Sequence, residues 1–144
     1  MVMKTSMLLT AVCVALTMSA ATAQARVKPR TVTRVLIQEV GKSDDEDLRE
    51  GCKTFRVSRN DVARFFLKAY PVPAKIGAHD RYSPCHAKGV VEFSDNTRGH
   101  WKISSGGTGT LYWDTGDVVT LFYPGYTWRD PFECTYGLSD QGEC

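Results

Sequence analysis

Residues 100–123, HWKISSGGTGTLYWDTGDVVTLFY, decide how this chain folds. Trp101 and Ile103 alternate with His100 and Lys102, so a strand there has one apolar side and one polar side. Gly106-Gly107 breaks the chain. Thr108 to Trp113 resumes it, with Leu111 and Trp113 facing one way. Asp114-Thr115-Gly116-Asp117 is turn chemistry, and Val119, Leu121 and Tyr123 alternate again beyond it. Three strands joined by tight turns are an antiparallel meander with one face turned to a core.

Upstream, Ala87 to Phe93 reads as a further strand, closed by the turn Ser94-Asp95-Asn96-Thr97. Val32 to Val40 is rich in β-branched residues and reads as another. Between them Ser58 is placed to cap a helix running to about Tyr70, with Asp61 at the reciprocal capping position. Val62, Phe65, Phe66, Ala69 and Tyr70 form its apolar face, Arg64 and Lys68 lie opposite, and Pro71 and Pro73 stop it. Gly41 to Gly51 reads as an acidic loop, Cys52 to Val57 as a short extended piece, and Val72 to Pro84 as a loop. The expected fold is α+β: one helix packed on a four- to five-stranded antiparallel meander sheet, stapled by disulfides.

The chain has 144 residues, 18 Lys+Arg and 16 Asp+Glu, with 42% apolar and 24% charged residues. That is one ordinary globular domain, and a net charge of +2 makes no case for nucleic acid. The first 25 residues read as a secretory signal. Lys4 supplies the positive end, Met7 to Met18 the apolar run, and Ala23-Gln24-Ala25 a small-residue cleavage site, with Ala21-Thr22-Ala23 an alternative. Residues 26–144 are then a single small domain with no membrane span, destined for the periplasm or secretion.

Five cysteines become four on cleavage, because Cys13 lies in the signal. An even count in an oxidising compartment predicts two disulfides. Three connectivities are possible. The expected one pairs Cys52 with Cys85, and Cys134 with Cys144 as the staple of a turn-rich tail at 134–144. The absence of a C-x-x-C pair disfavours both zinc and thiol-redox chemistry.

Candidate site residues fall into two sets. His79, Asp80 and His86 carry imidazole and carboxylate groups that suit a transition metal if loops bring them together; loop hydrogen bonding is the simpler explanation of them. Tyr126 and Trp128 sit among polar neighbours in the tail and read as exposed aromatic anchors for a protein partner. Arg64 and Lys68 would add a charged face. Residues 51–110 hold ten basic and four acidic side chains, and residues 111–144 one basic and six acidic, so a near-neutral chain can present faces of opposite sign. The sequence has no G-x-S-x-G, P-loop or H-E-x-x-H motif and asks for no cofactor.

The succession Cys52-x-x-Phe55-x-Val57-Ser58, Asp61-Val62, Phe65-Phe66, His79-Asp80, Ser83-Pro84-Cys85, Gly89, Trp101-x-Ile103 and Gly106-Gly107 resembles small cysteine-bearing exported proteins of Gram-negative bacteria with no assigned activity. The resemblance covers about residues 52–113. It implies a periplasmic location and brings no catalytic residues. Tyr112-Trp113-Asp114-Thr115-Gly116-Asp117 resembles an aromatic-then-Gly-Asp stretch of periplasmic lysozyme inhibitors, which are all-β. The expected function is a soluble periplasmic binding protein, of inhibitor or immunity type, that occludes an envelope protein without catalysis. The alternatives are a metal-dependent or hydrolytic enzyme using His79, Asp80 and His86, and an envelope structural or assembly factor.

Overall fold

In the computed structural model, which describes residues 28–135, the meander is the centre of a larger sheet. Its strands are β1 (Val32–Lys42), β2 (Tyr70–Pro71), β3 (His86–Phe93), β4 (Arg98–Ser104), β5 (Thr108–Trp113) and β6 (Val118–Phe122). They are ordered β1-β3-β4-β5-β6-β2, all pairs antiparallel. The helices are α1 (Arg49–Cys52) and α2 (Arg59–Lys68). Because β1 and β2 occupy opposite edges, the segment joining them must cross a face, and α2 is carried across it.

Among the described residues the sheet therefore has six strands rather than four or five. The sixth is two residues long. Tyr70 pairs with Phe122 and Pro71 with Leu121, so the helix stops at Lys68 instead of running to Tyr70. Proline lacks the N–H that a central strand needs, and an edge strand is where it is tolerated. Cys52 does not begin an extended piece; it closes the short turn α1. The 72–84 loop contains a π-helical turn at Ile76–Asp80, closed by the Arg81 N–H donating to the Ile76 carbonyl at 2.7 Å.

The α2 N-terminus forms as its sequence dictates. The Ser58 hydroxyl accepts from the Asp61 N–H at 3.1 Å, and the Asp61 carboxylate accepts from the Ser58 N–H at 2.8 Å. Val62 and Phe65 are buried against the sheet. The buried face of the strands carries Ala87, Val91, Phe93, Trp101, Ile103 and Leu111. Gly89 makes this packing possible. A Cβ there would lie 1.9 Å from the Leu36 carbonyl oxygen of β1 and 2.6 Å from the Trp101 ring, so only glycine lets strand and ring approach together.

Cys52 and Cys85 are disulfide-bonded, both fully buried, and join α1 to the start of β3 across 33 residues. Closing a loop of that length contributes about 3–4 kcal/mol in the chain-entropy account. Cys134 is also disulfide-bonded; its expected partner Cys144 lies outside the described residues, as does the signal at 1–25. Among the described residues no helix is long and apolar enough to cross a membrane.

The tail after β6 completes the core. Trp128 packs against Phe55 and Phe65 with ring centroids 6.4 Å apart in each case, and Tyr126 stacks on it at 5.2 Å. Gly107, with φ +86°, turns the chain between β4 and β5. It also leaves room for Tyr126, whose ring would lie 2.5 Å from a Cβ at that position.

Candidate functional site

Trp128 and Tyr126 do not stand out from the surface as the sequence leads one to expect. Trp128 is only 9% exposed, and its indole N–H donates to the Ser105 carbonyl at 3.0 Å. Tyr126 is half-buried beneath it. One helix is too narrow to cover a six-stranded sheet, and the tail fills the uncovered part. Beside Trp128, Asp130 is 4% exposed and ties the tail down. Its Oδ1 accepts from the Ser83 hydroxyl (3.0 Å), the Ser105 hydroxyl (2.9 Å) and the Phe132 N–H (3.0 Å). Sequence reasoning picked out neither Asp130 nor Ser105.

The three residues of the metal hypothesis are not brought together. His79 and Asp80 are exposed on the π-helical turn, while His86 is 3% exposed at the start of β3. Among the described residues no group of three His, Cys, Asp or Glu side chains could hold a metal ion. His86 serves a local network instead. Asp44 lies 3.8 Å from its Nε2 and receives the Lys102 ammonium at 2.5 Å. Burial holds the imidazole down to about 4, helped by the Lys102 charge and opposed by Asp44. The Lys102 hydrogen bond in turn lowers the Asp44 carboxyl.

Arg64 and Lys68 are where the sequence put them, exposed on the outward side of α2. Arg59 is exposed on the same helix, and the helix's one acid, Asp61, is engaged in the capping box. Leu67, three residues on from Arg64, is 62% exposed. It borders an apolar cleft of about 360 Å³ between the end of α2 and the sheet, lined also by Phe66, Pro71, Trp113 and Leu121. Arg30 stands at this cleft, its guanidinium 5.0 Å from the Trp113 ring centre and its Nε 2.7 Å from Asp95. A broader hollow of about 520 Å³ adjoins it at the hairpin turns, where Arg98 and Asp114 pair at 3.0 Å.

The opposite face of the sheet holds a second concavity. Strand alternation turns Lys102 and Ser104 of β4, Thr108, Thr110 and Tyr112 of β5, and Val118 and Thr120 of β6 away from the core. The π-helical turn lies over one side of them. A Cβ at Gly77 would meet Thr108 Oγ1 at 3.5 Å, an ordinary contact distance, so the turn rests directly on β5. Arg81 anchors it, with its guanidinium 5.2 Å above the Phe122 ring. A groove of about 430 Å³ is left between turn and strands.

Comparison with protein-family models, curated proteins and solved structures finds no match to this chain.

Proposed function

We propose that this is an exported, non-catalytic binding protein of the periplasm, of inhibitor or immunity type, which occludes an acidic protein partner with α2. The observation that carries this reading is the pairing of two cations with an apolar cleft at one helix end. Arg64 and Lys68, one turn apart, are exposed on a firmly capped helix, and Leu67 opens onto a cleft large enough for an apolar side chain. Charge of one sign steers encounter, and a desolvated apolar pocket supplies the anchor. The disulfide fits an oxidising compartment. The tail contributes rigidity from beneath rather than contact from above.

Two measurements test it. N-terminal sequencing of protein from a periplasmic fraction is expected to begin at Arg26; full-length protein in the cytoplasm overturns the location. Immobilised wild type and the Arg64→Glu/Lys68→Glu variant are then compared for capture from periplasmic extract. A partner retained by the wild type is expected to bind the variant at least about ten-fold more weakly. Equal retention removes α2 as the binding element.

A further inference from the structure

We propose that the groove on the open face of the sheet is a binding site for a neutral saccharide, independent of the partner surface on α2. Its lining is unlike that of the helix-end cleft. Hydroxyl-bearing residues dominate it: Tyr82, Ser104, Thr108, Thr110, Tyr112 and Thr120 all line it, with Thr108 buried under the turn and the Ser104 hydroxyl donating to the Ser83 carbonyl. The hydroxyls of Thr110, Tyr112 and Thr120 make no hydrogen bond among the described residues, and each can both donate and accept. Thr110 and Thr120 are direct cross-strand partners, so their side chains stand next to each other on a rigid floor.

The aromatic content supplies the second half of sugar chemistry. Tyr112 is 46% and Tyr82 39% exposed, one from the sheet and one from the segment after the π-helical turn. An aromatic face carries partial negative charge and attracts the weakly positive C–H groups of a pyranose, while the phenol keeps a polar tip. Among the described residues the lining holds one cation, Lys102, and it is paired with Asp44 at 2.5 Å. A single paired lysine gives the groove little to select an anion, which argues against phosphate or nucleic acid. The groove floor is made by β4 and β5, whose backbones are paired on both sides, so an added peptide strand finds no free backbone groups there. Its volume lies within the range of roughly 300–1,000 Å³ usual for small-ligand sites. A π-helical turn is rare and often marks a functional position; here it forms the wall that makes the sheet face concave.

The test is an NMR titration of isotope-labelled protein with maltotriose, cellotriose and tri-N-acetylchitotriose at millimolar concentration. At least one is expected to shift the amides of Thr110, Tyr112, Thr120 and residues 76–83, and to leave α2 unmoved. Tyr112→Ala and Thr120→Val should each weaken that binding at least about ten-fold with the fold intact by the same spectra, and Tyr112→Phe should retain most of it. The absence of shifts with all three sugars overturns the proposal. So do shifts confined to other residues, or capture of a protein that depends on Tyr112 in place of sugar binding. Arg64→Glu/Lys68→Glu is expected to bind the sugar as the wild type does, so this site and the α2 surface can fail separately.

Discussion

The two faces of the sheet are built from the same strands and differ in how they are finished. On the closed face α2, the disulfide and the tail leave the large side chains buried, with Trp101, Phe55, Phe65 and Ile103 at 2% exposure or less. On the open face the same strands turn out threonine, lysine and tyrosine, partly covered by the π-helical turn and by the loop carrying Asp44. Neighbouring residues can therefore have opposite duties. Trp113 lines the apolar cleft, and Tyr112 lines the hydroxyl groove. The closed face holds stability, and the open face is free to hold a ligand.

Trp128→Ala is the strongest way to break this division. If the tail completes the closed face, removing the indole costs about 3–5 kcal/mol of unfolding free energy, by loss of contacts and by leaving the Ser105 carbonyl without its donor. Urea denaturation followed by fluorescence of the remaining tryptophans measures it. A stability unchanged from the wild type would return Trp128 to the surface.

A smaller effect is expected where the open face is locally sealed. His86 belongs to the open side of β3 yet is buried. Its folded value is about 4 against an ordinary 6.5, so between those limits the unfolded chain binds more protons than the native one. The contribution is complete above about pH 6.5 and is lost as pH falls toward 4. The shift sets an upper bound of roughly 3–4 kcal/mol at about 1.4 kcal/mol per unit. The wild type should lose more stability than His86→Gln between pH 7 and pH 4.5 in parallel urea titrations. Equal losses would show that His86 is not desolvated.

Local chemistry was legible in the sequence, and surface identity was not. The alternation of residues 100–123, the Ser58–Asp61 cap and the Cys52–Cys85 pairing all depend on near neighbours or on few possibilities, and each was readable. β2 escaped because two residues carry no periodicity. The tail hides its burial in the sequence because polar neighbours such as Thr127, Arg129 and Asp130 suggest exposure, while Asp130 is itself buried on two serines. A signal was available in the glycines. Gly51 and Gly107 clear space for Phe132 and Tyr126, which is how a tail of large rings enters a core. The groove had no sequence signature, since its walls come from residues 74–83 and 102–120 and meet only when the π-helical turn settles on β5.

The smallest expected effect gives the sharpest separation of the faces. Tyr112→Ala removes an aromatic from mid-sheet, as Trp101→Ala or Leu111→Ala would, but on the side that faces water. Its cross-strand partners are His100 and Val118, both exposed, so the pairs keep little surface from solvent. Cross-strand pairs of this kind are worth about 0.2–1 kcal/mol, and the loss should stay below about 1 kcal/mol by urea denaturation. Leu111→Ala, one residue away on the closed face, should cost about 2–5 kcal/mol. A Tyr112 cost equal to that of Leu111 would mean that the open face also holds the fold together. Its ring would then be a structural contact rather than an exposed platform on which a sugar can stack.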